Sequence, residues 1–292
     1  MTKQKFGIYG NCQSEVLAQT LLENPHFSDA WEEAPLPLVQ RIGVEHVAAV
    51  PSVVAQLDLL IYQPFKSAAL PSLSSDEVVK HLLPTSMAIG FPSLYFDGYF
   101  PQLASLTGVP SPLNRVHDYL AIDCFLRGGD VTDVVARLKD ERLFKKAHAK
   151  RYFQGGIDEL RKREKTHRLT ATISDFVDAY ARKYKLFFQF NHPVKSLYQH
   201  VARQILNRLG IHESADVDLS DIGPEPTVVC PPLRSIYYHN QCQFDCEFDT
   251  YKVADERLSM VDVIERMYIS YLAADAEILR KHLKKKNLKW RR

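Results

Sequence analysis

The stretch Lys5-Phe-Gly-Ile-Tyr-Gly-Asn-Cys-Gln-Ser14 decides the reading of this 292-residue chain. Phe6 to Tyr9 is an apolar, aromatic-rich run, Gly10-Asn11 is a turn pair, and Glu15, Val16, Leu17, Leu21 and Leu22 continue at helical spacing. A short buried strand, a tight turn and the first turn of a helix ending near Asn24-Pro25 are expected. That turn sets the thiol of Cys12 where the unpaired amides and dipole of a first helical turn favour negative charge. A thiolate at Cys12, or an oxyanion or phosphate beside it, suits such a place. The rest of the chain is read as building a pocket around Cys12.

Outward from this stretch, residues 31–37 read as a turn-rich connector and residues 38–42 as a short strand. Residues 44–57 read as a helical stretch broken at Pro51. Residues 57–62 form an apolar run stopped by Gln63-Pro64, and residues 86–91 a third strand stopped by Phe91-Pro92. Residues 76–83 read as a helix capped by Ser74 or Ser75. Strands alternating with helices imply βαβ units and a parallel sheet. The stops at Gly10-Asn11-Cys12, Gln63-Pro64 and Phe91-Pro92 then share one edge, where such sheets bind ligands. Beyond residue 115 helices dominate: 119–127, 131–144, 157–166 after a Gly155-Gly156 break, and 173–184. A strand over 185–190 ends at Asn191-His192-Pro193, on the same presumed edge. A helix over 196–209 closes at Gly210, and residues 259–286 read as one long amphipathic helix.

The expected class is thus α/β, a mainly parallel sheet flanked by helices, with a helical insertion and a long C-terminal helix. The expected bounds are 1–114 for the first part of the core, 115–185 for the insertion, 186–235 for the return to the core and 236–292 for a C-terminal helical region with a basic tail.

An apolar content of 46% and a charged content of 25% are ordinary for a soluble globular protein. No run approaches the ~18 apolar residues of a membrane span. Five cysteines, an odd number, fit reduced thiols better than a disulfide framework, and no apolar signal region opens the sequence, so a cytoplasmic location is expected. The net charge of +2 hides an asymmetry: residues 280–292 hold eight basic residues and no acid, leaving 29 basic against 35 acidic residues elsewhere. The tail reads as a solvated helix end, or as a peripheral contact with a membrane or an acidic partner. The sequence lacks Gly-x-Gly-x-x-Gly, the Walker Gly-x-x-x-x-Gly-Lys and His-Glu-x-x-His, which argues against a dinucleotide oxidoreductase, a P-loop NTPase and a zincin.

Cys12 is the first chemical candidate, a nucleophile if its thiol ionises. Asn11 and Gln13 beside it, and Gln63 at the neighbouring strand end, carry amides able to stabilise an oxyanion. Ser14 reads as a cap or a second hydroxyl. His192 is the expected general base, oriented by Asn191 or Gln189, with His117 in reserve. Tyr95, Phe96, Tyr99 and Phe100 suit either stacking on a sugar or adenine, or core packing. Cys242, Cys246 and His239 are metal-ligand types without an evident fourth partner, so no metal is expected. Residues 137–168 hold twelve basic residues against five acids, a solvated helix surface or a basic lip for a phosphorylated ligand that includes Arg115, Arg127, Lys145, Lys146, Lys150 and Arg151.

Gly10-Asn11-Cys12-Gln13 after the first strand, Gln63-Pro64, the segment from Phe91-Pro92 through Tyr95-Phe96 and Gly98-Tyr99 to Pro101, and Asn191-His192-Pro193 together resemble the WcbI-type polysaccharide biosynthesis family. The resemblance covers about residues 5–210. It implies a fold related to SGNH hydrolases, coenzyme A or acetyl-CoA as substrate, and O-acetylation of a capsular or surface sugar as acceptor, with no nucleic acid partner. It implies Cys12 in the place of the SGNH serine and His192 in that of the base, with Ser14, Arg115, His117, Arg127, Lys145 and Lys146 around the coenzyme. One departure is plain: SGNH hydrolases place an Asp three residues before the His, where this chain has Gln189. An SGNH-like thiol or serine esterase or deacetylase, and a non-enzymatic binder of an anion or sugar phosphate, are the alternatives.

Overall fold

Three apolar runs and one short, mostly charged strand form one parallel sheet in a computed structural model of the chain, which describes residues 2–212, 216–286 and 288–290. In chain order the first elements are β1 (Gln4–Tyr9), α1 (Gln13–Leu22), α2 (Pro25–Ala30), β2 (Trp31–Glu33), α3 (His46–Val54), β3 (Leu59–Tyr62), α4 (Ser75–Val78) and β4 (Met87–Gly90). Then come β5 (Leu103–Ser105), β6 (Val116–Asp118), α5 (Tyr119–Leu126), α6 (Val131–Lys139), α7 (Lys146–His167), α8 (Ser174–Tyr180), β7 (Phe187–Gln189), β8 (His192–Pro193) and α9 (Lys195–Arg208). The last are β9 (Val228–Val229), α10 (Arg234–Asn240), β10 (Thr250–Val253), β11 (Glu256–Ser259), α11 (Met260–Leu272) and α12 (Ala276–Leu283). The chain divides into two compact units: Met1–Leu94, Leu160–Asp175 and Lys195–Asp221 make the first, and Tyr95–Glu159, Phe176–Val194 and Ile222–Arg292 the second.

In the first unit the sheet order is β2-β1-β3-β4, with Phe6 opposite Leu59 and Tyr9 opposite Tyr62. A parallel sheet covered on both faces needs apolar residues at successive positions, and Leu59, Leu60 and Ile61 are all fully buried. Tyr9 and Leu60 pack with Val50 and Val54 of α3 and with Leu73 and Val78. Phe6 meets Phe27 of α2 edge-on at 5.0 Å between ring centres. β2 lies where a connector was expected. Only Trp31 of its three residues is buried, and the exposed Glu32 and Glu33 suit an edge strand, which charge protects from further pairing. Residues 39–41 form a 3-10 turn in place of a strand. The helix over 46–54 runs through Pro51. At 75–81 one α-turn passes into a 3-10 turn, with neither serine capping it. The Ser75 hydroxyl accepts from Phe65 N (2.5 Å) and donates to Gln63 O (2.8 Å), and that of Ser74 accepts from Ser67 N (3.0 Å). α8 starts on the buried carboxylate of Glu164, which accepts from Ile173 N (2.7 Å) and Ser174 N (2.9 Å).

In the second unit α7 passes straight through Gly155-Gly156, where a break was expected. A Cβ at residue 156 would lie 2.9 Å from the Phe96 ring and 3.1 Å from Gly98 N, so glycine serves close packing there. Phe96, Tyr99 and Phe100 are fully buried core residues, while Tyr95 is half-buried against Phe190. The expected long C-terminal helix is two helices: residues 273–275 separate α11 from α12, and Asp275 accepts from Glu277 N (2.8 Å) to start the second. Val261 and Leu272, assigned to its apolar side, are 41% and 76% exposed. The strand before His192 pairs antiparallel with β8 through a bulge and forms its own two-stranded sheet. It therefore does not extend the parallel sheet, as its apolar run had suggested. Among the described residues no helix is long and apolar enough to cross a membrane.

Candidate active site

The order β2-β1-β3 sends the chain from β1 to one side and then, through β3, to the other. The loops after β1 and β3 therefore diverge, and a doubly wound sheet opens its ligand crevice at such a point. Both loops carry predicted site residues. Gly10 ends β1 against Gln63, and a Cβ there would lie 2.8 Å from Gln63 Oε1. That oxygen accepts from Asn11 N (2.9 Å), and Gln63 Nε2 donates to Gln13 Oε1 (3.0 Å). Gln13 Nε2 donates to Leu94 O (2.8 Å), and Gln13 Oε1 also accepts from Leu94 N (2.9 Å). Asn11 Oδ1 accepts from Gln13 N (2.9 Å), and Asn11 O accepts from the Ser14 amide (2.9 Å) and hydroxyl (2.5 Å).

The network corrects part of the expectation. Gln13 and Gln63 are each 3% exposed, and their amides bond one another and the main chain, so they position the loop. Ser14, 4% exposed, is committed to Asn11 O. Asn11 Nδ2 donates to no described residue and is the side-chain donor left for a ligand.

Cys12 caps α1 and is exposed to solvent. Its pKa is nevertheless raised from the ordinary thiol value, chiefly by loss of hydration. Glu15 pushes the same way, against the Cys12 and Gln13 amides and Arg41. Burial thus outweighs the helix N-terminus for the thiol itself, which speaks against the thiolate and leaves the other expectation, an oxyanion or phosphate beside Cys12. Tyr198, on α9 packed against α1, lies close enough to Cys12 for that thiol's charge to raise its own pKa, after the larger effect of burial. No feature of the sequence marks Tyr198, since its place depends on helix packing.

The second unit holds His192, half-buried, at the bulge where Gln189 pairs with it across the hairpin. Gln189 Oε1 sits 3.0 Å from His192 Nδ1, while Gln189 Nε2 donates to Cys230 Sγ (3.7 Å). With the amide oxygen so assigned, Nδ1 carries the proton and Nε2 keeps its lone pair. Burial holds the His192 pKa below the ordinary histidine value, so the ring is a neutral base. Gln189 is thus the orienting residue of the two considered.

The residues expected around a coenzyme separate by burial. His117 is fully buried, its nitrogens 3.1 Å from Tyr271 Oη and 3.2 Å from Val109 O, and it is a core residue. Arg115, Lys145 and Lys146 are exposed, and exposed Arg127 pairs with Asp123 at 2.8 Å. His239 faces Phe144 O at 3.1 Å, and no cluster of three metal-binding residues occurs among the described residues.

No curated protein matches the chain. A solved structure of WcbI, described as a novel polysaccharide biosynthesis enzyme in its native form without a disulfide bond between coenzyme A and a cysteine, superposes with a TM-score of 0.84 at 19% identity, covering 97% of this chain and 94% of that one. At that identity the likeness carries the fold. The family model for polysaccharide biosynthesis enzyme WcbI matches residues 5–214. That span takes in both the Gly10–Ser14 turn and His192, and by it the chain belongs to the WcbI family of polysaccharide biosynthesis enzymes.

Proposed function

We propose that this chain is an acyltransferase that moves an acetyl group from acetyl-CoA to a sugar hydroxyl during capsular or surface polysaccharide synthesis. The carrying observation is that Cys12 is the one cysteine of five that is exposed, on the loop at the sheet's switch point. The related WcbI is described by a disulfide, absent in that form, between coenzyme A and a cysteine.

In this reading His192 Nε2 takes the proton of the acceptor hydroxyl as its oxygen attacks the thioester carbonyl. The carbon–sulfur bond then breaks, and the coenzyme leaves as its thiol once protonated. In the first unit, Asn11 Nδ2 and the free amides of the first turn of α1 are donors suited to an oxyanion. The raised pKa of Cys12 favours direct transfer over an acyl-Cys12 intermediate, with the thiol flanking the thioester. Arg115, Arg127, Lys145 and Lys146 are the exposed cations offered to the coenzyme phosphates.

The test is acetyl transfer from labelled acetyl-CoA to a saccharide acceptor, with intact mass of the protein at single turnover. Transfer without an acetylated Cys12 is expected, and His192→Asn should lower it at least ~100-fold. An acetyl adduct on Cys12 that decays on adding acceptor would establish the covalent route instead. Ester hydrolysis without thermal stabilisation by coenzyme A would replace the transferase with a hydrolase.

A further inference from the structure

The basic tail singled out in the sequence has no part in the reading above, and in the second unit its described residues up to 290 are held in place. Trp290 pairs with Phe144 as an isolated bridge, their rings stacked at 6.5 Å, and Arg137 lies 6.0 Å from the indole centre. Lys289 N donates to Tyr152 Oη (2.8 Å), and His148 Nδ1 lies 3.2 Å from Lys289 O. Lys286 pairs with Asp97 at 2.8 Å. These contacts fix the backbone of 288–290 against the first turns of α7.

The fixed tail walls a groove of about 490 Å³ lined by Arg127, Lys284, Lys286, Lys289 and Trp290, with Asp123 and two leucines completing it. Four cations face one carboxylate, and counting the Asp97 partner of Lys286 still leaves a net of +2. Lys284 and Lys289 are exposed and make no ion pair within the described residues. Cations at helix C-termini can serve the dipole alone, and Arg127 and Lys284 do end α5 and α12. Lys286 and Lys289 lie beyond any helix end, so the dipole does not account for them. The surplus charge sits in a chain whose remainder carries a net negative charge, so the groove, beside the basic surface of 137–168, is a local attractor of anions. A concave site of this size takes a small ligand; a membrane would favour a convex or flat face.

We propose that this groove binds the phosphate groups of a nucleotide-sized ligand, with Lys284 and Lys289 as its free cations, Arg127 and Lys286 as cations held by carboxylates, and the Trp290 indole as an apolar wall for a base or sugar ring. Two sources share that chemistry: the adenosine phosphates of a coenzyme, which rests on the acyl-transfer reading, and a nucleotide sugar, which does not.

Isothermal titration of the whole chain with adenosine 3′,5′-bisphosphate and with UDP-glucose tests it. At least one probe should bind one equivalent, and the double variant Lys284→Glu/Lys289→Glu should weaken it about tenfold or more, as loss of charge-assisted bonds implies. Arg280→Glu/Lys281→Glu, an equal charge change on exposed residues outside the groove, should leave the affinity unchanged. Preference for the adenosine probe identifies the coenzyme as source, and preference for UDP-glucose the nucleotide sugar. Binding of neither probe, or equal weakening by both double variants, overturns the proposal. Binding of UDP-glucose that weakens with Lys284→Glu/Lys289→Glu upholds the groove even where acetyl transfer fails, so the two readings fail separately.

Discussion

At the residue scale the orientation of His192 by an amide sets its chemistry. A carboxylate behind the ring would stabilise the imidazolium and raise the pKa; Gln189 fixes the tautomer without that charge. With burial lowering the pKa, the neutral, active ring persists below the ordinary value near 6.5, and activity is lost only as pH falls through the lowered folded value. Gln189→Glu should therefore move the acid limb of the kcat profile to higher pH, whereas Gln189→Leu should lower kcat across the whole profile; identical profiles for wild type and Gln189→Glu would remove the orienting role. The places of Cys12, Gln63 and His192 at the ends of strands were legible because each lies where an apolar run meets a turn signal. The engagement of Gln13 and Gln63 with each other was not, since it depends on the register that sets Tyr9 opposite Tyr62. The state of Cys12 was also hidden, because the sequence advertises the helix N-terminus but not the loss of hydration that outweighs it.

At the element scale the two central glycines of α7 make opposite predictions. Nothing lies within 4 Å of a Cβ built at Gly155, so Gly155→Ala should stabilise the protein by ~0.5–1 kcal/mol, the helical cost of glycine. Gly156→Ala presses on Phe96 and Gly98 and should destabilise it, by ~1–3 kcal/mol for an overpacked core. Urea midpoints of the two variants check both signs; a stabilising Gly156→Ala would show that the Phe96 contact yields freely. The same pair illustrates how far elements can be read. β1, β3 and β4 announce themselves by apolar runs, whereas β2 has one apolar residue and two glutamates and looks like loop. The division between α11 and α12 falls inside a continuing amphipathic pattern, so only Asp275, a capping type, hinted at it. The hairpins β5–β6 and β10–β11 are too short for period-two alternation to register.

At the scale of the whole molecule, pH dependence of stability gathers buried titrating groups of opposite sign. His282 is 3% exposed, lies flat on Tyr119 at 5.0 Å, and has no partner for either ring nitrogen. Burial first, then Lys285 and His117, lower its pKa to about 4. Between about 4 and 6.5 the unfolded chain thus binds the proton that the folded chain refuses. His282 therefore contributes its full stability above 6.5 and loses it as pH falls. Asp118, raised to about 7 by burial, slopes the other way across the same interval. The informative quantity is the difference between wild type and His282→Phe: the wild type should lose stability relative to the variant from pH 6.5 to 4, by up to ~3 kcal/mol at the pKa equivalence. Parallel denaturation midpoints across that range would show that the ring is hydrated in the folded protein. The interleaving of the two units in sequence bears on how the protein is made. The strands β1 to β4 leave the ribosome early, but α9, which carries Tyr198, follows only after most of the second unit's first stretches have been synthesised. At ~5–20 residues per second the nascent chain carries Cys12 for about 10–40 seconds before the helix that flanks it arrives. Until α9 packs beside it, that thiol is more open to oxidants and foreign disulfides than the solvent-facing thiol of the finished protein.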